Sequence, residues 1–215
     1  MNEEEPKIMC LPSGPYYLLN NQLQIKDLHV KDYGRFLIVL LVLLVPSIAV
    51  PAPPTTLAHL RLLDRLDRPE DGYCVDVLGT GRNLRVDLPL FAHNCKPILT
   101  SDSAVVFTSD GFIIFPAVDR CMTVAGVNSV ALPGASILLR MCKESTPFFE
   151  TSGLQRFTLR DDGRLALAGS ELCLTVGSQS ATTYSPLDRW RTLYVDDCAV
   201  AALPQSRWGF VVPRP

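Results

Sequence analysis

The chain has no excess of either charge. Lys plus Arg number 20 against 22 acidic residues, a formal net charge of −2, so no electrostatic footprint for a polyanion is present and nucleic acid is not an expected partner. Histidine is scarce at 3 residues, and only His93 falls in the region beyond Pro69. The short cysteine pairs of zinc sites are missing, which argues against a metal centre. G-x-S-x-G, H-E-x-x-H, P-loop and dinucleotide fingerprints are missing too. Gly79-Thr80-Gly81 resembles a phosphate loop only superficially, since it opens no helical pattern. Neither an enzyme nor a cofactor is expected. Long helical periodicity is lacking after Pro69, whereas 17 Pro and 13 Gly are scattered without a period, as suits a turn-rich all-β chain.

One apolar run stands out in the 215 residues: Phe36 to Val50, FLIVLLVLLVPSIAV. It is shorter than the roughly 20 residues a membrane-spanning helix needs, and Pro46 would kink it. A signal-peptide core is the favoured reading, with Ser47-Ile48-Ala49 as a small-x-small cleavage pattern, and an uncleaved anchor is the alternative. The expected organisation is a leader or cytoplasmic tail over 1–35, the hydrophobic helix over 36–50, a Pro-rich linker with a short amphipathic helix over 51–68, and one domain over 69–215. The helix rests on Leu57, Leu60, Leu63 and Leu66 at helical spacing, with Arg61, Arg65 and Arg68 on another face. Membrane contact is expected, if anywhere, through 36–50.

Six of the seven cysteines lie beyond that run, an even number that suits an oxidising compartment. Three of them open similar tetrapeptides: Cys74-Val75-Asp76-Val77, Cys121-Met122-Thr123-Val124 and Cys173-Leu174-Thr175-Val176. Each opening is followed by a second cysteine, Cys95, Cys142 and Cys198, at separations of 21, 21 and 25 residues. The near-constant spacing predicts that each pair closes within its own copy. An aromatic recurs at Phe107, Phe157 and Trp208, and all three are expected in the core. Asp-Gly turns follow two of them, at Asp110-Gly111 and Asp162-Gly163, and predict tight hairpins. The chain ends where the third hairpin would begin. Propellers typically need four blades or more to close, so three copies predict an all-β fold, a single β-trefoil with lobes about 69–115, 116–167 and 168–215.

The recurring C-[LVM]-[DT]-V opening, the second cysteine within each copy, the Q-x-W-like aromatic and the D-G turn together resemble the ricin-type β-trefoil lectins over roughly Pro69 to the C-terminus. The resemblance implies a secreted or membrane-anchored sugar-binding module, with a glycan or glycoprotein as partner. It also implies a pocket in each lobe made by an Asp two residues after the opening cysteine, an aromatic platform two before the second cysteine, and amides before the Q-x-W aromatic. By that standard the first lobe keeps Asp76 and puts His93 on the platform, but has Ala104 and Val105 at the amide positions. The second lobe has Thr123 and Arg140 in place of the Asp and platform, retaining Gln155, and the third has Thr175, Asp196 and Ser206. At most one sugar site is therefore expected, made by Asp76, His93 and Asn94. The competing expectation is a trefoil with decayed sugar sites that serves as a protein-interaction or enzyme-inhibitor scaffold.

Overall fold

The computed structural model describes residues 56–146, 149–183 and 185–213. The hydrophobic run at 36–50 and the leader at 1–35 lie outside these, and among the described residues no helix is long and apolar enough to cross a membrane.

Twelve principal strands follow one another in three groups of four. The first lobe holds β1 (Ala58–Leu62), β2 (Tyr73–Asp76), β3 (Phe91–Asn94) and β4 (Ala104–Phe107). The second holds β5 (Ile113–Phe115), β6 (Arg120–Val124), β7 (Ile137–Arg140) and β8 (Phe157–Leu159). The third holds β9 (Leu165–Leu167), β10 (Leu172–Val176), β11 (Arg189–Asp197) and β12 (Trp208–Val211). The outer two strands of every lobe build a closed barrel: β1 pairs β4, β4 pairs β5, β8 pairs β9, and β12 returns to β1. Single bridges, Phe112 to Arg156 and Arg164 to Arg207, close the two remaining seams. The inner strands form three cap hairpins, β2–β3, β6–β7 and β10–β11. This arrangement is a β-trefoil.

Where an amphipathic helix was expected over Leu57 to Arg68, the chain forms β1. Ala58, Leu60 and Leu62 are buried at period two, while Leu57 and Leu63 are half exposed. The segment LAHLRLL fits both periods, and a strand partner far along the chain decides between them. That partner is β12, with His59 opposite Val211 and Leu62 opposite Trp208. The third hairpin missing from the C-terminus is thus completed by the first strand, and the trefoil begins at Ala58, ahead of Pro69.

The turn chemistry matches the sequence pattern. Gly111 sits at φ +85°, and a Cβ there would lie 2.7 Å from the Phe157 carbonyl oxygen, so only glycine fits between the two lobes. Disulfides join Cys74 to Cys95, Cys121 to Cys142 and Cys173 to Cys198, one within each lobe. Phe107, Phe157 and Trp208 are all buried in one continuous apolar core. The Trp208 indole satisfies its N–H by donating to the Leu174 carbonyl at 2.9 Å.

Candidate functional site

The geometry of the first lobe starts from the pairing of β2 with β3. Cys74 stands opposite His93 and Asp76 opposite Phe91, so Asp76 and His93 share a face. His93 Nδ1 lies 3.9 Å from Asp76 Oδ2. Burial, and then the nearby Lys96 charge, hold the His93 imidazole below its ordinary pKa, which favours the neutral ring. Asn94 does not join them. Its amide nitrogen donates to Asp71 Oδ2 and to the Leu187 carbonyl, both at 3.1 Å, while its oxygen accepts from the Arg189 backbone N–H at 2.8 Å. Consecutive strand residues face opposite sides, which is why Asp76 and Asn94 do not converge. Asn94 instead ties the first lobe to the third.

Asp76 itself is only 3% exposed. The Lys96 ammonium donates to its Oδ2 at 3.0 Å and to Asp102 as well, so one cation is shared between two buried carboxylates. Among the described residues, Asp76 Oδ1 is buried without a hydrogen bond. Burial pushes the Asp76 carboxyl up to about 7 in spite of Lys96. Burial is the largest single influence on Asp102 and raises it, but the hydrogen bonds from Lys96 and Thr100 and the Lys96 charge together outweigh it, and the group ends below the usual carboxylate range. For Lys96, desolvation works against the ammonium and the two carboxylates overcome it, so its pKa is raised. The position that would receive a sugar hydroxyl is occupied by the chain's own amine. Lys96 and Asp102 carry no pattern that would mark them in the sequence.

The other lobes turn their polar groups inward in the same way. Gln155 is fully buried, donating to Thr123 Oγ1 at 3.0 Å and to the Met141 carbonyl at 2.8 Å while accepting from the Lys143 N–H at 2.7 Å. Thr123 and Thr175 donate to the carbonyls of Cys121 and Cys173, both at 3.0 Å. Arg140 pairs with Glu144 at 2.9 Å, Asp196 accepts from the Asp197 N–H at 2.9 Å, and the buried Ser206 donates to the Ala202 carbonyl at 2.9 Å.

A different surface presents aromatic side chains outward. Along the nine residues of β11, Arg191, Leu193 and Val195 are buried, and Trp190, Thr192 and Tyr194 occupy the opposite face with partial or full exposure. Trp190 meets the ring of Phe91 edge-on at 6.3 Å. Behind the strand, the Arg191 guanidinium donates to Asp67 at 2.6 Å and to the Gly177 carbonyl at 2.7 Å, and stacks over Tyr73 at 5.0 Å. Ser180 and Tyr73 also donate to Asp67, at 2.6 and 2.8 Å. Burial raises the Asp67 carboxyl, but these hydrogen bonds, Arg191 foremost, bring it well below its ordinary value. The network fixes the 177–180 loop beside β11.

Two clefts flank this ridge, and Trp190 and Thr192 line both. One, of about 400 Å³, is walled by Leu78, Leu88, Leu90, Phe91 and Leu193. The other, of about 390 Å³, is walled by Ser178, Gln179, Ser180 and Tyr194. The alternation in RWRTLYVDD, with aromatics four residues apart on one face, is the sequence signal for this surface.

No family model matches this sequence, and no curated protein matches it. Among solved structures, the chain is similar to the mdaA-1 domain determined in solution, with 16% identity over 75% of this chain and 93% of that one, at a TM-score of 0.52. The likeness concerns the fold alone. Two further similar structures are the β-trefoil lectin of Vibrio vulnificus hemolysin/cytolysin with N-acetyl-D-lactosamine bound (15% identity, 74% of this chain, 96% of that chain, TM-score 0.46) and the agglutinin from Abrus precatorius (19%, 74%, 49%, TM-score 0.49).

Proposed function

We propose that this chain is a non-catalytic recognition module for a neutral glycan, working outside the cytoplasm and meeting its sugar through Trp190. The observation that carries the reading is the outward face of β11. Trp190 and Tyr194 stand about 13 Å apart at the rise of a strand, beside a cleft whose walls are hydroxyl, amide and aromatic groups with no carboxylate or ammonium among them. A pyranose offers an apolar face that suits an aromatic ring and hydroxyls that suit neutral donors and acceptors. An uncharged lining fits an uncharged ligand. Three disulfides fit an oxidising compartment, secreted or membrane-tethered.

Asp76 is a poorer candidate in this reading, because it is buried and its Oδ2 is held by Lys96. One shallow site binds weakly, so avidity would come from tethering or oligomerisation. The test is a glycan array followed by titration calorimetry with wild type, Trp190→Ala and Asp76→Asn. Wild type binds a neutral glycan, Trp190→Ala loses at least tenfold in affinity, and Asp76→Asn keeps it. Absence of binding by wild type to any neutral glycan at millimolar concentration, or unchanged affinity in Trp190→Ala, overturns the reading. The second reading, a protein-interaction or enzyme-inhibitor scaffold, is favoured by the inward-turned groups of all three lobes, and a wild type without glycan affinity would support it.

A further inference from the structure

We infer that the ligand is an amphiphilic glycoconjugate, a neutral sugar bearing an alkyl or acyl chain, with the sugar in the polar cleft and the chain in the apolar one. This rests on the glycan reading above and adds the second half of the ligand. The argument begins with Trp190 and Thr192, which belong to both clefts, so the two spaces share one wall and a single molecule can straddle it.

The apolar cleft draws on all three lobes. The first lobe's cap loop supplies Leu78, Leu88 and Leu90, the second lobe supplies Ser136, and the third supplies Trp190 and Leu193. Among the described residues no ionisable side chain lines it, and Leu78 stands 40% exposed at its rim. Its volume of about 400 Å³ lies in the range of small-molecule sites. A protein partner would instead need a broad surface, with about 1,200 Å² or more of total buried area. Hydrocarbon of a few methylenes is the occupant whose size and chemistry match. The polar side is held equally close: a Cβ at Gly177 would lie 2.3 Å from Thr192 Oγ1, so the polar loop abuts the shared wall. A sugar ring on one side of Trp190 therefore has its anomeric substituent within reach of the other.

The test uses the full chain and series of alkyl β-glucosides, β-galactosides and N-acetyl-β-glucosaminides from methyl to hexyl, titrated below their micelle concentrations with Trp fluorescence as readout. Each methylene that enters the cleft should tighten binding by about twofold when half buried and about fourfold when fully buried, so the five added methylenes of the hexyl member of the recognised series tighten binding by at least about thirtyfold over the methyl member. Leu78→Asp, at an exposed position, should flatten that chain-length dependence and leave methyl-glycoside affinity unchanged. Equal affinity for all chain lengths overturns this inference while the glycan reading stands. A gain that persists undiminished in both Leu78→Asp and Leu88→Ser also overturns it. Failure of the wild type to bind any of these glycosides or any neutral glycan on the array overturns both readings together.

Discussion

Replacing Lys96 with Met removes the one cation that two buried carboxylates share, and its cost should depend on pH in a direction the structure fixes. Breaking a buried pair from one side typically costs about 3 to 5 kcal/mol, because the remaining charge stays buried. The Lys96 side chain is 27% exposed, so water takes over part of its role and the lower end applies. At pH 8, where Asp76 and Asp102 are both ionised in wild type, the variant should lose about 3 kcal/mol. Asp76 has a folded pKa of about 7, above its unfolded value of about 3.8, so its contribution to stability is present in full below pH 4 and is lost as pH rises through 7. In the variant that pKa moves higher still, and at pH 5 a protonated Asp76 needs no cation, which leaves a loss of about 1 to 2 kcal/mol from the remaining hydrogen bonds. Urea denaturation followed by Trp fluorescence in non-reducing buffer measures both values. Adding Asp76→Asn should recover most of the pH 8 loss. An equal loss at the two pH values, or a loss below about 1 kcal/mol at pH 8, would refute the idea that Lys96 exists to neutralise this pair.

Removing residues 1–68 deletes β1, and with it the fully buried Leu60 and Leu62, each worth about 2 to 3 kcal/mol. Against a typical total of about 5 to 15 kcal/mol, the 69–215 fragment should show no cooperative urea transition, whereas a fragment starting at residue 56 keeps it. Gln155→Ala leaves the Lys143 N–H without its partner, takes one hydrogen bond each from Thr123 Oγ1 and the Met141 carbonyl, and opens a cavity, and should cost about 2 to 4 kcal/mol by the same assay. Converting Cys121 and Cys142 both to Ala opens a 21-residue loop and should cost roughly 3 kcal/mol, read as a lowered midpoint with a slope that is unchanged or steeper as the unfolded chain expands. Acid should destabilise wild type below pH 4, since Asp67, Asp71 and Asp102 all have depressed folded pKa values and lose their contribution as pH falls. A stability profile that keeps rising from pH 4 down to pH 2 contradicts that.

The lobes and their staples were legible because covalent chemistry and turn geometry leave marks that do not depend on partners. Cysteine spacing and the glycine of an Asp-Gly turn are local requirements, and Gly111 shows the positive φ that such a turn demands. Strand β1 was not legible in the same way. Its leucines satisfy two periods at once, and the choice is made by β12, which lies at the other end of the trefoil. For Asn94 the needed information was present, since alternation along a strand already separates it from His93 and Asp76. Lys96 is the contrary case. Nothing in Cys95-Lys96-Pro97 says that the amine folds back over Asp76, because that contact arises only when Asp102 and β2 are brought together. Trp190 stands in a readable alternating pattern, but alternation alone does not say which face of β11 meets the core, and the neighbouring loop that makes a cleft beside Trp190 comes from 177–180.

The seam between β1 and β12 has a mechanical consequence. The two strands run antiparallel, so the start of β1 and the end of β12 lie at the same end of the pair. A pull applied between the segment before Ala58 and the C-terminus therefore loads this seam one residue pair at a time, peeling it open as a zipper instead of shearing it. Under such a load the trefoil would yield first at its two terminal strands, while each lobe stays locked by its own disulfide.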